Sequence, residues 1–269
     1  MPYCNVGPLR IYYRQHGPVN GPPLVLIPGL GGDHTAWNPL LPHLAPFRTL
    51  AIDPRDAGRS DPAPAAYAIA DMAADIAHVI QARIGAPAAI AGFSMGGAIA
   101  QELALRHPAL VRRLILIATY DAGDPRGDWI FQQFAILRRT LPRTQYYRVL
   151  LPWLYTHREF AGAINPESLV RRFAAAPRVQ PQDAYERQAR ATVRFRSRDR
   201  LAQIACPTLL IFGDDDLFTP LRFARSLEKG IPRARLKLLR GAGHGLLLTQ
   251  AKDVAAAITS FAGPQRARP

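Results

Sequence analysis

The sequence predicts an α/β fold with a mostly parallel central sheet, and three observations indicate it. First, short apolar runs recur along the 269-residue chain and end in loops rich in glycine or aspartate, as is typical of strands buried on both faces of a parallel sheet. Second, stretches with apolar residues at helical spacing lie between these runs. Third, one run turns directly into a helix through Gly92-x-Ser94-x-Gly96. Together these features predict a doubly covered sheet.

The individual elements follow from the same patterns. Residues 9–16 alternate enough to indicate an edge strand or one arm of a hairpin. The remaining predicted elements, in chain order, are strand 24–27, strand 49–52, helix 71–84, strand 89–93, helix 98–105, strand 114–117, strand 208–212, helix 221–229, strand 235–239 and helix 249–261.

The pattern changes between residues 121 and 200, where buried-strand runs stop and the chain becomes helical, aromatic and rich in arginine. This segment holds 15 Arg and 8 acidic residues and so carries +7 of the net charge of +14. We therefore expect a core domain made of residues 1–120 and 201–269. A helical insertion, 121–200, should lie over the carboxyl edge of its sheet.

Composition limits the expected partners. The net charge of +14 raises the question of nucleic-acid binding, but the arginines are spread along the chain, and we expect no such partner. No apolar run approaches the roughly 20 residues of a membrane-spanning helix, and the first ten residues lack a signal pattern, so we expect a cytoplasmic protein without a membrane partner. Cys4 and Cys206 should be free thiols, and neither has metal-ligand spacing. The oligomeric state stays open.

The Gly92-x-Ser94-x-Gly96 motif is the strongest chemical signal in the chain. A strand that turns abruptly into a helix strains the residue at the bend, and side chains two positions away on either side would collide there. The bend presents the hydroxyl of Ser94 near the amides of the helix N-terminus, where negative charge is favoured. Chance occurrence is the alternative, but the flanking strand and helix favour Ser94 as a nucleophile.

Two further groups that such a nucleophile needs follow later strands. A serine hydroxyl reacts poorly until an imidazole takes its proton, and the imidazole needs a carboxylate to set its tautomer. One of the aspartates 214–216 follows the predicted strand 208–212, and His244 follows the strand 235–239. Because the carboxyl ends of parallel strands share one edge, these groups should converge with Ser94, in the chain order Ser, Asp, His.

A glycine-rich loop, 28–32, follows the buried strand 24–27 and can present bare backbone amides to a ligand. A simple turn is the alternative. The loop is not a phosphate-binding loop, since no Gly-Lys-Ser/Thr follows and the dinucleotide-binding spacing is missing.

Over nearly its full length the chain resembles the α/β-hydrolase fold superfamily, in its group of esterases, lactonases and cofactor-free haloperoxidases, including 3-oxoadipate enol-lactonase-like proteins. The motifs that carry the resemblance are Pro28-Gly29-Leu30-Gly31-Gly32, Asp53-x-Arg55-x-x-Gly58-x-Ser60, Gly92-x-Ser94-x-Gly96, Gly213-x-x-Asp216-x-x-x-Pro220, Gly243-His244 and, for the insertion, Leu151-Pro152-Trp153-Leu154-Tyr155. They are specific for the fold and its catalytic triad, and only weakly specific for substrate.

The resemblance implies roles for individual residues. It selects Asp216 as the triad acid, with Asp121 as an alternative position, and it implies an oxyanion hole made by the backbone N–H groups of Leu30 and Met95. It implies no cofactor and no metal. Two departures concern loop structure: relatives usually carry His-Gly at residues 28–29 and Arg-Gly at residues 55–56, where this chain has Pro28-Gly29 and Arg55-Asp56.

We therefore expect a serine hydrolase that cleaves a small carboxylic ester or lactone through Ser94, Asp216 and His244. The basic insertion suggests an anionic substrate. His34, Trp129 and Trp153 are candidate residues of the substrate pocket. Perhydrolysis by the same triad and non-catalytic binding of a small molecule are the alternatives. Dehalogenase and epoxide-hydrolase activities are disfavoured because those relatives carry Asp at the nucleophile position.

Overall fold

The computed structural model describes residues 2–263 and contains an eight-stranded sheet. In chain order the strands are β1 (Tyr3–Val6), β2 (Leu9–His16), β3 (Pro23–Ile27), β4 (Arg48–Ile52), β5 (Ala88–Phe93), β6 (Val111–Ile117), β7 (Thr208–Gly213) and β8 (Ala234–Leu239). Their order across the sheet is β1-β2-β4-β3-β5-β6-β7-β8. All neighbours from β4 to β8 pair in parallel, whereas β1 pairs with β2 and β2 with β4 in antiparallel fashion. The mostly parallel sheet is confirmed.

The first hairpin differs in part from the sequence prediction. Residues 9–16 do form a hairpin arm, but they do not form an edge strand, because the four-residue β1 covers their outer side. A two-residue turn at Gly7 and Pro8 joins the two strands, and Gly7 has a φ of 56°. Such tight hairpin turns favour glycine because positive φ carries no side-chain penalty there.

Nine α-helices lie in residues 2–263. They are α1 (Ile69–Arg83), α2 (Met95–Arg106), α3 (Pro125–Thr140), α4 (Arg143–Leu154), α5 (Pro166–Ala174), α6 (Gln182–Arg194), α7 (Leu221–Gly230), α8 (Leu246–Thr249) and α9 (Ala251–Ala262). The predicted closing helix 249–261 starts later than expected, because the chain leaves helical geometry at Gln250 (φ −121°, ψ 29°) between α8 and α9. In residues 2–263, no helix has the length and hydropathy needed to cross a bilayer.

The continuous apolar run of β3 is explained by cores on both faces of the sheet. Val25 and Ile27 pack with α1 and α2, while Leu24 and Leu26 pack on the opposite face with Trp37 and with α9. All four strand residues are fully buried. A strand that alternates between two cores cannot carry polar residues on either side, so its sequence reads as unbroken hydrophobicity.

Helices α3 to α6 and a short π-helical turn (Glu159–Ala163) lie between β6 and β7 in the chain. They carry small cores of their own, one around Leu151 and Leu169 and another around Ile130 and Phe134. The helical character expected for this segment is therefore present. Its boundaries at residues 121 and 200, and its role as a cap, stay predictions.

Asp56 joins this segment to the loop after β4. Its backbone has a φ of 68°, a value that favours glycine. Its fully buried carboxylate receives two 2.8 Å hydrogen bonds from the Arg187 guanidinium on α6. The side-chain amides of Gln180 and Gln188 donate to the backbone oxygens of Asp56 and Arg55. Asp56 thus forms this ion pair from a backbone conformation that glycine would adopt more easily.

Removing only the cation should therefore destabilise the protein more than removing the acid. We expect Arg187→Met to lower the free energy of unfolding by about 3 kcal/mol, because it leaves the buried Asp56 charge unpaired. Asp56→Gly should lower the free energy of unfolding by less, since it removes that charge and relieves the positive φ. The double variant Asp56→Gly/Arg187→Met should be about as stable as Asp56→Gly. Urea unfolding measures all three. Arg190→Met, on the exposed face of the same helix, is the control and should change little.

If Arg187→Met and the double variant lost the same free energy of unfolding, the unpaired Asp56 charge would not be the cause of the destabilisation.

Candidate active site

The junction between β5 and α2 places Ser94 in a strained backbone conformation, with φ 54° and ψ −119°. Close packing holds it there. A Cβ atom at Gly92 would lie 2.2 Å from the carbonyl oxygen of Gly96, and one at Gly96 would lie 2.2 Å from that of Ile27. The Ser94 amide donates to Ile117 O at 2.9 Å, and the Thr119 hydroxyl donates to Ser94 O at 2.7 Å. The glycines of the motif are therefore required by the contacts around the bend.

Three side chains that are distant in sequence meet at the carboxyl edge of the sheet. His244 Nε2 lies 3.1 Å from Ser94 Oγ, and His244 Nδ1 lies 2.7 Å from Asp216 Oδ2. All three residues are buried. This relay has the connectivity that lets an imidazole accept the serine proton while a carboxylate fixes its orientation.

Asp216 is held in place by the loop after β7. Its Oδ1 accepts the amides of Phe218 and Thr219, at 2.8 and 2.9 Å, and its Oδ2 accepts the Thr219 hydroxyl at 2.6 Å. Burial raises the pKa of Asp216, but the nearby His244 and these hydrogen bonds outweigh it, so the pKa lies below its ordinary value. The carboxylate is therefore kept ionised beside the imidazole.

The other acidic candidates lie elsewhere. Asp214 is exposed and accepts the Gly241 amide, and Asp215 is exposed near His157. Asp121 is buried, but its carboxylate accepts the Arg198 guanidinium at 2.8 Å and the Ser226 hydroxyl at 2.6 Å. Asp121 thus links its own loop to Arg198 and Ser226. Asp216 is the acid in contact with His244.

The two amides expected to form an oxyanion hole belong to the residue after Ser94 and to a loop that passes close to Ser94. Met95 is the first residue of α2, where backbone N–H groups have no acceptor within the helix. Leu30 lies in the loop after β3, which passes close to the bend: a Cβ atom at Gly29 would lie 3.1 Å from Ser94 Cβ. The roles of both amides stay predictions.

A cavity lies beside Ser94, and most of its wall comes from outside the triad loops. The first turns of α3, the end of α6 and the start of α7 contribute to it, including Arg126 and Arg222. Phe218 also lines it and packs against the His244 ring at a centroid distance of 5.2 Å. The cavity therefore brings aromatic and charged side chains close to Ser94.

Residues 22–251 match the family model for the alpha/beta hydrolase fold. The chain belongs to the α/β-hydrolase family. It is 32% identical to a protein of Azorhizobium caulinodans described as "putative carbamate hydrolase RutD", over 91% of each chain.

Two solved structures add to this relationship. The enol-lactonase of Burkholderia xenovorans superposes with a TM-score of 0.85 at 27% identity, over 97% of this chain and 99% of that one. A Mycobacterium tuberculosis protein described as "putative non-heme bromoperoxidase BpoC" has the same TM-score and identity, over 93% and 94%. The expected superfamily, with its esterase and lactonase group, is thereby confirmed, as is hydrolase activity at the level of the family.

The three predicted pocket residues of this α/β-hydrolase do not line the cavity beside Ser94. Trp129 is 65% exposed on α3. Trp153 packs against Phe134 and Phe218, so it lies behind the wall. His34 is buried, and its Nδ1 lies 2.8 Å from Asp53 Oδ1. A contact of any of them with substrate stays a prediction.

The Asp33, His34 and Asp53 side chains form the one group of potential metal ligands found in residues 2–263. Hydrogen bonds within the protein explain why these three side chains lie close together. Asp53 accepts the His34 amide at 2.6 Å and the Arg59 amide at 2.8 Å, while Asp33 accepts the Thr35 amide. These contacts brace the loops after β3 and β4.

Phe218 is the residue that sequence reasoning missed. It contacts His244, Phe131, Phe134 and Trp153. Its position two residues after Asp216 was the available signal, because a residue so close to the acid must lie near the relay.

The depressed pKa of Asp216 predicts a pH-dependent contribution to stability. The ionised carboxylate stabilises the fold above its unfolded-state pKa of about 3.9, and this contribution is lost as the pH falls through the lower folded-state value. Asp216→Asn should therefore be less stable than the wild type by about 2 kcal/mol at pH 5 to 6, with the difference shrinking as the pH falls below about 4. Urea unfolding at each pH measures it.

Asp215→Asn, an exposed neighbour, is the control and should show a small, nearly constant difference. A constant difference for Asp216→Asn over the same range would refute the assignment of a depressed pKa.

Proposed function

We propose that this α/β-hydrolase is a serine hydrolase that cleaves a small carboxylic ester or lactone. The observation that carries the proposal is the relay of Ser94, His244 and Asp216, with contacts of 3.1 and 2.7 Å. The enol-lactonase of Burkholderia xenovorans, similar over nearly the whole chain, supports an ester or lactone carbonyl as the target.

In the proposed reaction Ser94 Oγ attacks the carbonyl carbon as its proton moves to His244 Nε2. The carbonyl oxygen becomes negatively charged and accepts hydrogen bonds from the Leu30 and Met95 amides. When the intermediate collapses, the C–O bond to the alcohol breaks and His244 returns the proton to the leaving oxygen. Water then attacks the acyl-enzyme as His244 takes its proton, the bond between the acyl carbon and Ser94 Oγ breaks, and His244 returns the proton to Ser94 Oγ as the acid leaves. Asp216 stabilises the imidazolium in both steps.

Residues 121–200 serve as a cap over this site in the proposal. The cavity beside Ser94 supports that role, since α3 and α6 contribute to its wall. Arg126 and Arg222 line the cavity together with Asp124 and Asp128. Arg222 is paired with Asp124 at 2.5 Å, whereas Arg126 donates to the neutral carbonyl oxygen of Leu217 at 3.2 Å. Arg126 is therefore the cation that we assign to an anionic group of the substrate. A cytoplasmic location without nucleic-acid or membrane partners completes the proposal.

Two other acyl-transfer reactions fit the same relay. Perhydrolysis would replace water by hydrogen peroxide, and the similarity to the protein described as a bromoperoxidase favours testing it. Carbamate cleavage would place a nitrogen next to the carbonyl, and the relative described as a carbamate hydrolase favours that test. Ester, lactone and carbamate panels, each with and without peroxide, rank the three.

The role of Ser94 is tested with a fluorophosphonate probe and with p-nitrophenyl esters. We expect labelling at Ser94, and Ser94→Ala should abolish labelling and lower kcat by about 10³-fold or more, because no other group supplies the nucleophile. Peptide mapping and initial rates measure both. Ser168→Ala, an exposed serine on α5, is the control and should keep wild-type rates.

An unlabelled, folded wild type that binds a small ligand tightly without turnover would favour the non-catalytic alternative.

The assignment of Arg126 is tested with matched esters that differ only in a carboxylate. Arg126→Met should lower kcat/KM about fivefold for the anionic ester and leave the neutral one within about twofold, because only the former loses a charge-assisted contact. Arg171→Met, a surface arginine on α5, is the control. Equal kcat/KM of the wild type for both esters would remove the case for an anionic substrate.

A further inference from the structure

Glu159 is a buried carboxylate, 3% exposed, in the π-helical turn that follows α4. Its Oε2 accepts the Thr156 amide at 2.7 Å and the Gly243 amide at 3.3 Å. Its Oε1 accepts the Thr249 hydroxyl at 2.5 Å. A buried carboxylate is tolerated when donors replace its lost water, and two of these three donors belong to a distant part of the chain.

Those two donors lie on either side of His244. Gly243 directly precedes it, and Thr249 ends α8, five residues beyond it. The carbonyl oxygen of Leu154 adds a third link, since it accepts the Gly245 amide at 2.8 Å. Residues 154–159 therefore fasten the segment 243–249 before and after the imidazole.

The packing between these two segments is too close for side chains at the flanking glycines. A Cβ atom at Gly243 would lie 2.6 Å from the carbonyl oxygen of Leu154 and 3.1 Å from Glu159 Oε2. One at Gly245 would lie 2.1 Å from the Tyr155 ring. The glycines beside His244 thus allow the backbone of its loop to reach the carboxylate and the ring.

We infer that Glu159 is a positioning residue for His244: by binding both flanks of its loop, it keeps the imidazole within reach of Ser94. Glu159 does not belong to the relay itself, because its carboxylate contacts Thr156, Gly243 and Thr249. A misplacement of about 1 Å in such a site can cost about 10²-fold in rate. The inference rests on the proposed function for its kinetic consequence, and on the contacts alone for its structural one.

The kinetic test compares Glu159→Ala with Glu159→Gln. The alanine variant loses every acceptor, so kcat for a p-nitrophenyl ester should fall about 30-fold while KM stays within about twofold. The glutamine variant should recover to within about threefold of the wild type, because its amide oxygen still accepts the backbone donors and its amide group can donate to Thr249. Glu167→Ala, which removes an exposed glutamate paired with Arg148, is the control.

Wild-type kcat in a folded Glu159→Ala, or a Glu159→Gln as slow as Glu159→Ala, would overturn the inference. If Glu159→Ala does not fold, Thr249→Val decides, because it removes one donor and leaves Glu159 in place. A fall of about fivefold in kcat at unchanged KM supports the inference, and wild-type kcat overturns it.

Hydrogen exchange provides an arm that needs no substrate. In Glu159→Ala the amides of residues 241–249 should exchange at least about tenfold faster than in the wild type, with β3, β5 and β6 unchanged. Unaltered exchange in that segment would overturn the anchoring. A wild type that hydrolyses no substrate and takes no label would overturn the proposed function alone, since the exchange result would still stand.

Discussion

The arrangement depends on the backbone of Ser94, which has a positive φ that residues with side chains rarely adopt. The strain persists because the neighbours leave no alternative: Ile117 and Thr119 bind the amide and carbonyl of Ser94, and α2 packs closely against β3 at Gly96. A relaxed junction would turn the hydroxyl away from His244. The strain of the bend is offset by packing within the sheet, where β3 and β6 lie on either side of β5 and contact the bend at their carboxyl ends.

Buried carboxylates organise the irregular segments around this bend. Asp216 holds the loop after β7, Asp56 joins the loop after β4 to α6, and Glu159 joins the turn after α4 to the His244 loop. A carboxylate has two oxygens that each accept several donors, so one side chain can fix segments that share no regular structure. Hydrogen bonds to these buried acidic side chains therefore hold the loops in place, as backbone hydrogen bonds between strands hold the sheet.

The sequence was informative where local pattern and fold agree. Buried strands such as β3 read as apolar runs, and parallel topology brings the residues after β5, β7 and β8 together, so the meeting of Ser94, Asp216 and His244 at one edge of the sheet could be predicted. Strand β1 could not be predicted, because four residues are too few to show a pattern of alternation. The partners of Asp56 and Glu159 depend on how α6 and the turn after α4 pack against distant loops. No spacing in the sequence encodes such tertiary contacts.

One segment of the chain contains both residues that line the cavity and residues that hold the loop of His244. The segment between β6 and β7 lines the cavity through α3 and α6, yet residues 154–159 of that segment also hold the loop of His244. Movement of this segment away from the sheet would therefore strain the Gly243 and Gly245 contacts as well as open the cavity. A substitution there acts on the position of the imidazole even when it lies far from the substrate, because the two segments are fastened to each other.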